Sequence, residues 1–151
     1  MITPPRRMIS KQLGELLIEQ KIISEAQLQK ALQVQKEKGG LIGSILVLLG
    51  FATEEQIAQA LTAQYGFPYL PLQNYDIDPE VVKLIPRNVA EQYVLIAIDK
   101  IGNSLTIAIA NPLNLHALED VELITNCKVQ TFVSTQTDIK ETIKKYYGSN
   151  P

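Results

Sequence analysis

The chain contains one stretch that is written twice, and this duplication constrains its fold more than any other feature. Residues 13–35, LGELLIEQKIISEAQLQKALQVQ, align with residues 42–64, IGSILVLLGFATEEQIAQALTAQ, at the constant offset of 29 residues (43 − 14) that separates Gly14 from Gly43. A repeat unit of this kind is usually one supersecondary element that cannot bury its apolar face alone. Each copy predicts a short helix, a tight turn and a longer helix. The two hairpins are therefore expected to share one core.

The predicted start of the longer helix carries the same capping signal in both copies. Ser24 and Thr53 are N-cap residues, and each is followed three positions later by a glutamine, Gln27 or Gln56. This is the spacing of a capping box, in which the hydroxyl and the glutamine side chain satisfy backbone N–H groups of the first turn. Apolar residues then recur at helical spacing. A helical core accounts for this pattern without any ligand.

Two repeated features exceed what a helical core requires. Gly14 and Gly43 lie near the start of the first helix of each copy, where glycine costs about 1 kcal/mol relative to alanine. Their presence predicts the close approach of another helix or of a ligand. Gln35 and Gln64 close the two copies, and each is either a solvated helix end or a directed hydrogen-bonding group.

The second half of the chain alternates between strand and helix patterns. The turn residues Gly102 and Asn103 lie between two apolar runs, which predicts an antiparallel hairpin. The predicted elements are an edge strand or connector at 66–72, a short helix capped at Asp78 and ending at Leu84, a helix from Pro86 to Tyr93, strands at 94–99 and 105–110, a helix at 113–126, a strand at 128–133 and a last helix ending near Tyr147.

These elements predict an α/β (α+β) fold. A four-helix subdomain made of two repeated hairpins is followed by a small sheet, mainly antiparallel or mixed, with flanking helices in the order ββαβα. The predicted segments are a flexible basic arm at 1–10, the helical-hairpin subdomain at 11–65, the α/β subdomain at 66–148 and a tail at 149–151.

Composition argues against several classes of function. The net charge of −2 gives no bulk attraction for nucleic acid or anionic lipid. The single cysteine, Cys127, cannot form an intramolecular disulfide and is expected to be structural. The single histidine, His116, has no second histidine or cysteine nearby, so no metal site is predicted. No apolar run approaches the roughly 18 residues that span a bilayer. We therefore predict a cytoplasmic location without direct membrane insertion.

The sequence also lacks the motifs of common catalytic sites. It contains no GxxxxGK[ST] loop, so this chain cannot itself carry a P-loop ATPase site. With one histidine and one cysteine, it offers no convincing Ser/His/Asp or Cys/His set. Paired carboxylates such as Glu54 and Glu55 fall at helical positions and are interpreted as solvated faces. We predict that the chain is not an enzyme and carries no cofactor.

The duplicated pattern LGxxLL…LxxxLxxQ resembles the N-terminal domain of type II secretion and type IV pilus assembly ATPases, the MshEN-like GspE/PilB/MshE family. The resemblance covers residues 11–148, and some members bind cyclic di-GMP. It implies a regulatory or docking domain, excised or stand-alone, held near the bacterial inner membrane through its partners. The alternative is a pure docking module that couples the ATPase motor domain to an inner-membrane platform or linker protein and binds no nucleotide.

In the members that bind cyclic di-GMP, the ligand extends across both copies of the motif. The motif leucines contact the guanine bases, and polar groups at the motif ends contact base edges and phosphates. Carried over by motif position, the implied ligand-binding residues are Gln12, Leu13, Gly14, Leu28, Leu32, Gln35, Ile42, Gly43, Ile57, Leu61, Gln64 and Asn111.

This sequence departs from the pattern of the binding members at three positions. Gln12 replaces an arginine, Lys21 replaces a glycine in the first turn, and Asn111 stands where binders tend to have an acidic residue. Glutamine does not replace an arginine–phosphate contact, because the charge and the planar fork are both lost. The resemblance therefore leaves the ligand open. The basic residues that are candidates to compensate are Arg6, Arg7 and Lys11.

Overall fold

The first half of the chain forms two helical hairpins, as the duplication predicts. The structure is a computed structural model that describes residues 6–148, with side chains from residue 12 onward. Its first four helices are α1 (Arg6–Glu19), α2 (Glu25–Lys38), α3 (Ile42–Leu48) and α4 (Glu54–Tyr65). Helix α1 begins five residues before the predicted hairpin, so residues 6–10 are helical rather than part of an arm. Residues 1–5 of the predicted arm and the predicted tail lie outside the described residues.

Both predicted capping boxes are confirmed. The backbone N–H of Gln27 donates to Ser24 Oγ at 3.1 Å, and that of Gln56 donates to Thr53 Oγ1 at the same distance. In return, each cap N–H donates to the glutamine Oε1 at 2.9 Å. These local bonds satisfy donors that the first turn of a helix leaves unpaired, and they begin α2 and α4 at matching positions.

The turns inside the two hairpins have the same backbone conformation but different residues. Lys21 has a φ of 61° and Gly50 a φ of 77°, and the two positions are related by the repeat. Glycine adopts this left-handed region without strain, whereas a residue with a Cβ is disfavoured there. The first turn keeps the backbone shape of the motif although it lacks the glycine.

The hairpins bury a common apolar core. Its most deeply buried members include Leu13 and Leu17 of α1, Leu46 of α3 and Leu61 of α4. Leu28 and Ala31 add the buried face of α2. Val133, from the second half of the chain, also packs into this core, so the helical subdomain is joined to the sheet by apolar contact.

The second half contains the predicted order of strands and helices. Its elements are α5 (Pro79–Val82), α6 (Arg87–Tyr93), β1 (Leu95–Ile101), β2 (Ser104–Ile109), α7 (Leu115–Thr125), β3 (Lys128–Val133) and α8 (Gln136–Tyr147). Asp78 caps α5 as predicted, and Pro86 is the N-cap of α6. Cys127 is buried, in agreement with a structural role. In the described part of the chain, no helix is long and apolar enough to cross a membrane.

The sheet is mixed rather than mainly antiparallel. Its strand order is β1-β2-β3, with β1 and β2 antiparallel as predicted. Strand β3 pairs with β2 in parallel, from Ser104 opposite Lys128 to Ile109 opposite Val133. Helix α7 lies between these two strands in sequence and carries the chain back to the end where β2 started, which is the connection that parallel pairing requires.

The segment at 66–72 runs along the free side of β3. The N–H of Leu70 donates to the carbonyl of Val133, and the N–H of Val133 donates to the carbonyl of Pro68, both at 2.9 Å. The pairing is a single parallel bridge at Tyr69. Prolines at 68 and 71 cannot donate to a longer ladder, so the segment is a short edge bridge within a connector.

Candidate functional site

A cleft lies where the second helical hairpin meets the sheet. One wall comes from α3 and the first turns of α4, and the other from the residues after β2 and the turn between β3 and α8. The cleft is narrow and partly open to solvent, with an internal volume of about 40 Å³. A purine base would lie along its mouth.

The cleft brings together residues from both copies of the motif. Leu13 and Gln35 of the first copy face it, although they come from different helices. The predicted ligand-binding residues that line it are Leu13, Gln35, Ile42, Gly43, Ile57 and Asn111. Apolar side chains and a few amide groups thus converge on one surface, the usual composition of a site for a flat organic ligand.

The other predicted residues do not line the cleft. Leu28 and Leu61 are buried in the helical core, and Leu32 is partly buried against it. Gln12 and Gln64 are exposed to solvent. The helical motif therefore serves packing at several of the positions to which the resemblance gave a ligand role.

The two repeated glycines differ in their surroundings. A Cβ built on Gly14 would lie 2.3 Å from Cδ1 of Leu28, whereas one built on Gly43 would lie 3.7 Å from Cδ2 of Leu13. The first distance excludes a side chain unless Leu28 moves, and the second is an ordinary van der Waals contact. Gly14 therefore permits close packing of α1 on Leu28, and Gly43 is open to the cleft.

The two repeated glutamines also differ. Gln35 lines the cleft, and its Nε2 donates to the carbonyl of Gly40 at 3.0 Å. This bond ties the end of α2 to the turn that leads into α3. Gln64 lies near the end of α4 and is exposed, as a solvated helix end would be. Gln35 is the directed hydrogen-bonding group of the pair.

Asn111 faces the cleft from the loop after β2. Its Oδ1 accepts from the N–H of Leu113 at 3.1 Å, a local turn that asparagine commonly makes. Asn114 is the N-cap of α7, and its Oδ1 accepts from the N–H of Ala117 at 3.3 Å. The amide oxygen of each residue is therefore engaged in backbone structure.

Sequence analysis missed the polar groups that close the cleft on the α8 side. Ser44 Oγ donates to Gln136 Oε1 at 2.6 Å. The carboxylate of Glu54 accepts from both the N–H and the Oγ1 of Thr137, in the first turn of α8. Glu54 was predicted to be solvated, but it caps a helix from a distant part of the chain. No local pattern contains a signal for a partner 83 residues away.

The electrostatic character of the cleft does not favour an anion. Within the described residues, its lining includes the carboxylate of Glu54 and no lysine or arginine. The first turn of α8 carries the partial positive charge of a helix N-terminus, but Glu54 and the Thr135 hydroxyl already accept from two of its N–H groups. Neutral groups would have to hold any phosphate placed there.

Three comparisons place these features among known proteins. A family model described as the MshEN domain matches residues 65–151. The type IV pilus assembly ATPase PilB of Myxococcus xanthus is 36% identical over 140 residues, which cover 93% of this chain and 25% of PilB. The chain thus spans about a quarter of that relative, and the alignment includes residues outside the family match.

Two solved structures have the same fold. MshE, solved with cdg (cyclic di-GMP), is 32% identical, with a TM-score of 0.67 over 89% of this chain and 98% of that one. The N-terminal domain of XpsE aligns with a TM-score of 0.76 over 98% of this chain and 100% of that one. At 19% identity, the second likeness supports the fold alone.

Proposed function

The chain belongs to the MshEN domain family, and from this premise we propose that it is a non-catalytic regulatory domain whose cleft binds cyclic di-GMP with low affinity. The convergence of Leu13, Gln35, Ile42, Gly43 and Ile57 on one cleft carries the proposal. These residues come from both copies of the motif. The relative MshE, 32% identical, was solved with that ligand.

Cyclic di-GMP presents two flat guanines and two phosphates, and the cleft suits the bases better than the phosphates. Leu41 and Val47 line the cleft, are partly exposed and offer apolar surface on which a base can lie, above the buried Leu13, Ile42 and Ile57. Gly43 adds no side chain to this surface. The Gln35 amide, whose Nε2 also donates to the carbonyl of Gly40, carries the donor and acceptor types that a guanine edge requires. The ligand would lie across the mouth of the cleft.

Low affinity follows from the charges around the cleft. Gln12 replaces the arginine of the binding members, and the lining includes the carboxylate of Glu54. A hydrogen bond to a charged group contributes about 1.5–3 kcal/mol, so its loss lowers affinity about 10- to 150-fold. The side chains of Arg6, Arg7 and Lys11 are the nearest candidates in sequence to supply a cation.

The proposed setting is the cytoplasmic face of the bacterial inner membrane. The relative PilB is a type IV pilus assembly ATPase, and this chain would act on a motor domain of that kind without catalysing the reaction itself. A second candidate function is docking onto an inner-membrane platform or linker protein, with no nucleotide bound. An exposed groove lined by Glu55, Gln59 and Tyr69 favours a protein contact in addition to the cleft.

Calorimetry with cyclic di-GMP, with GTP and cyclic di-AMP as controls, tests the proposal. We expect weak binding of cyclic di-GMP by the wild-type chain and at least about tenfold tighter binding by Gln12→Arg, since a charge-assisted contact is added. Gln130→Arg is the matched control, because Gln130 is an exposed glutamine on β3 that belongs to neither copy of the motif.

Two outcomes would contradict the proposal. Undetectable binding in both the wild type and Gln12→Arg would leave docking as the better account. Equal tightening by Gln130→Arg would show that the added charge acts without a specific contact. Removing residues 1–7 tests the remaining source of a cation, because binding that depends on Arg6 or Arg7 would be lost.

A further inference from the structure

A second groove, distinct from the cleft, runs along α4. Glu55, Gln59 and Thr62 lie on one stripe of this helix at helical spacing, and Tyr69 forms the opposite wall. The groove holds about 380 Å³ and is open to solvent. Ala58 and Thr135 line both, so they form a shared wall.

Tyr69 lines this groove and has a backbone edge that does not pair with β3. The residue is 46% exposed, and Tyr65 at the end of α4 is 47% exposed. The bonds to Val133 come from Pro68 and Leu70, so the N–H and C=O of Tyr69 between them point away from β3. A partner backbone can form two main-chain hydrogen bonds with this one residue, although Pro71 offers no donor for a longer ladder.

The charge around Tyr69 selects the kind of chain that fits. Partial burial raises the pKa of Tyr69, and the carboxylates of Asp138, Glu55 and Glu54 raise that pKa further. These groups come from α8 and α4, so they give the ring a negative surrounding from two sides. Within the described residues, the groove lining contains no lysine or arginine. An anionic nucleotide is disfavoured there, and a cation is favoured.

We propose that the groove between α4 and Tyr69 docks an extended segment of a partner protein that places an arginine or lysine over the Tyr69 ring beside Glu55. A cation over an aromatic face is attracted by the ring, and Glu55 completes the contact with opposite charge. The backbone edge of Tyr69 orients the segment. This inference rests on the groove alone and holds whether or not the cleft binds cyclic di-GMP.

The test uses a short peptide, since the partner is defined only by its chemistry. Acetyl-Val-Thr-Arg-Thr-Val-amide is titrated into the 151-residue chain, and amide NMR shifts are followed. We expect saturable shifts at Tyr69, Gln59 and Thr62. The same peptide with citrulline in place of arginine, which keeps the shape of the side chain without its charge, should bind at least about threefold more weakly. The peptide with glutamate in place of arginine should not bind.

Paired variants identify the contacts. Glu55→Gln and Tyr69→Leu should each weaken the arginine peptide about threefold or more. Glu80→Gln and Tyr75→Leu, which change an exposed carboxylate and an exposed tyrosine outside the groove, should not. Unchanged shifts in the remaining spectrum establish that each variant is folded.

Several results would overturn the proposal. Equal binding of the citrulline peptide, or no effect of Glu55→Gln, would show that the groove does not read charge. Shifts of Tyr69 and Gln59 that depend on protein concentration without peptide would assign the groove to a second copy of the chain. Shifts of the same amides by cyclic di-GMP would assign it to the nucleotide.

Discussion

Gly14 lies directly against Leu28, and a Cβ built on this glycine would be 2.3 Å from Leu28 Cδ1. Both residues are buried in the helical core. The motif glycine of the first copy is therefore explained by helix packing. Its counterpart Gly43 lines the cleft, and a Cβ built on it would make only ordinary van der Waals contacts, with Leu13 Cδ2 at 3.7 Å and Ile57 Cδ1 at 3.9 Å.

Alanine at the two glycines should have opposite effects on stability. Gly14→Ala should lower the free energy of unfolding by about 1–3 kcal/mol, because Leu28 must leave its position in a packed core. Gly43→Ala should raise it by up to about 1 kcal/mol, since alanine is the better helix former and meets no clash. Urea unfolding measures both. Equal destabilisation by the two substitutions would contradict the distinction.

The turn of the first hairpin should be improved by glycine. Lys21 has a φ of 61°, a region in which a residue with a Cβ is less stable by about 1–2 kcal/mol. Glycine avoids this steric cost, but it loses more backbone entropy on folding, so only part of the cost is recovered. Lys21→Gly should therefore stabilise the chain by roughly 0.5–1 kcal/mol. Gly50→Ala, at a φ of 77°, should destabilise it. Thermal melts test the pair, and Lys21→Ala controls for loss of the charge.

The contact between Glu54 and Thr137 should contribute to stability as a unit. The carboxylate accepts two hydrogen bonds from Thr137 in the first turn of α8, where negative charge is also favoured by the helix dipole. A double-mutant cycle of Glu54→Gln and Thr137→Ala should give a coupling free energy of about 1 kcal/mol.

Glu55→Gln provides the comparison for this cycle. Glu55 is the exposed neighbour of Glu54 on α4, and its cycle with Thr137→Ala should show a coupling below about 0.5 kcal/mol. Strictly additive effects of Glu54→Gln and Thr137→Ala would mean that the hydrogen bonds between these two side chains do not help to hold the second hairpin against α8.

Tyr147 should make stability depend on alkaline pH. Its hydroxyl lies 2.6 Å from the carbonyl of Ile85 and 2.8 Å from that of Val82. Burial raises the pKa of Tyr147 from 10.0 to about 12, against a lowering effect of Arg87. The folded state thus holds the proton more tightly than the unfolded state. This contribution is complete below pH 10 and is lost as the pH rises from 10 to about 12.

Tyr147→Phe isolates this effect. At pH 8 the variant should be less stable by about 0.5–1.5 kcal/mol, because the carbonyls lose a donor. The difference from the wild type should shrink between pH 10 and pH 12, which unfolding curves at several pH values measure. A difference that stays constant across this range would show that the hydroxyl has the same pKa in the folded and the unfolded protein.

Local patterns in the sequence were sufficient for most of the fold. The offset between Gly14 and Gly43, the capping residues Ser24 and Thr53 and the turn at Gly102 each predicted an element that the structure contains. These signals succeed because caps, turns and helical faces depend on residues within about four positions of one another. The direction of β3 escaped prediction, since pairing between strands is not a local property.

The role of each repeated residue was decided only by the tertiary structure. The sequence writes Gly14 and Gly43 alike, and Gln35 and Gln64 alike, but each pair has one member at the cleft and one outside it. The reason is that the cleft lies where the end of α2 and the start of α3 face the start of α8, an arrangement held by contacts between residues 83 and 92 positions apart. A duplicated sequence encodes two equal hairpins, and packing against a single sheet makes them unequal.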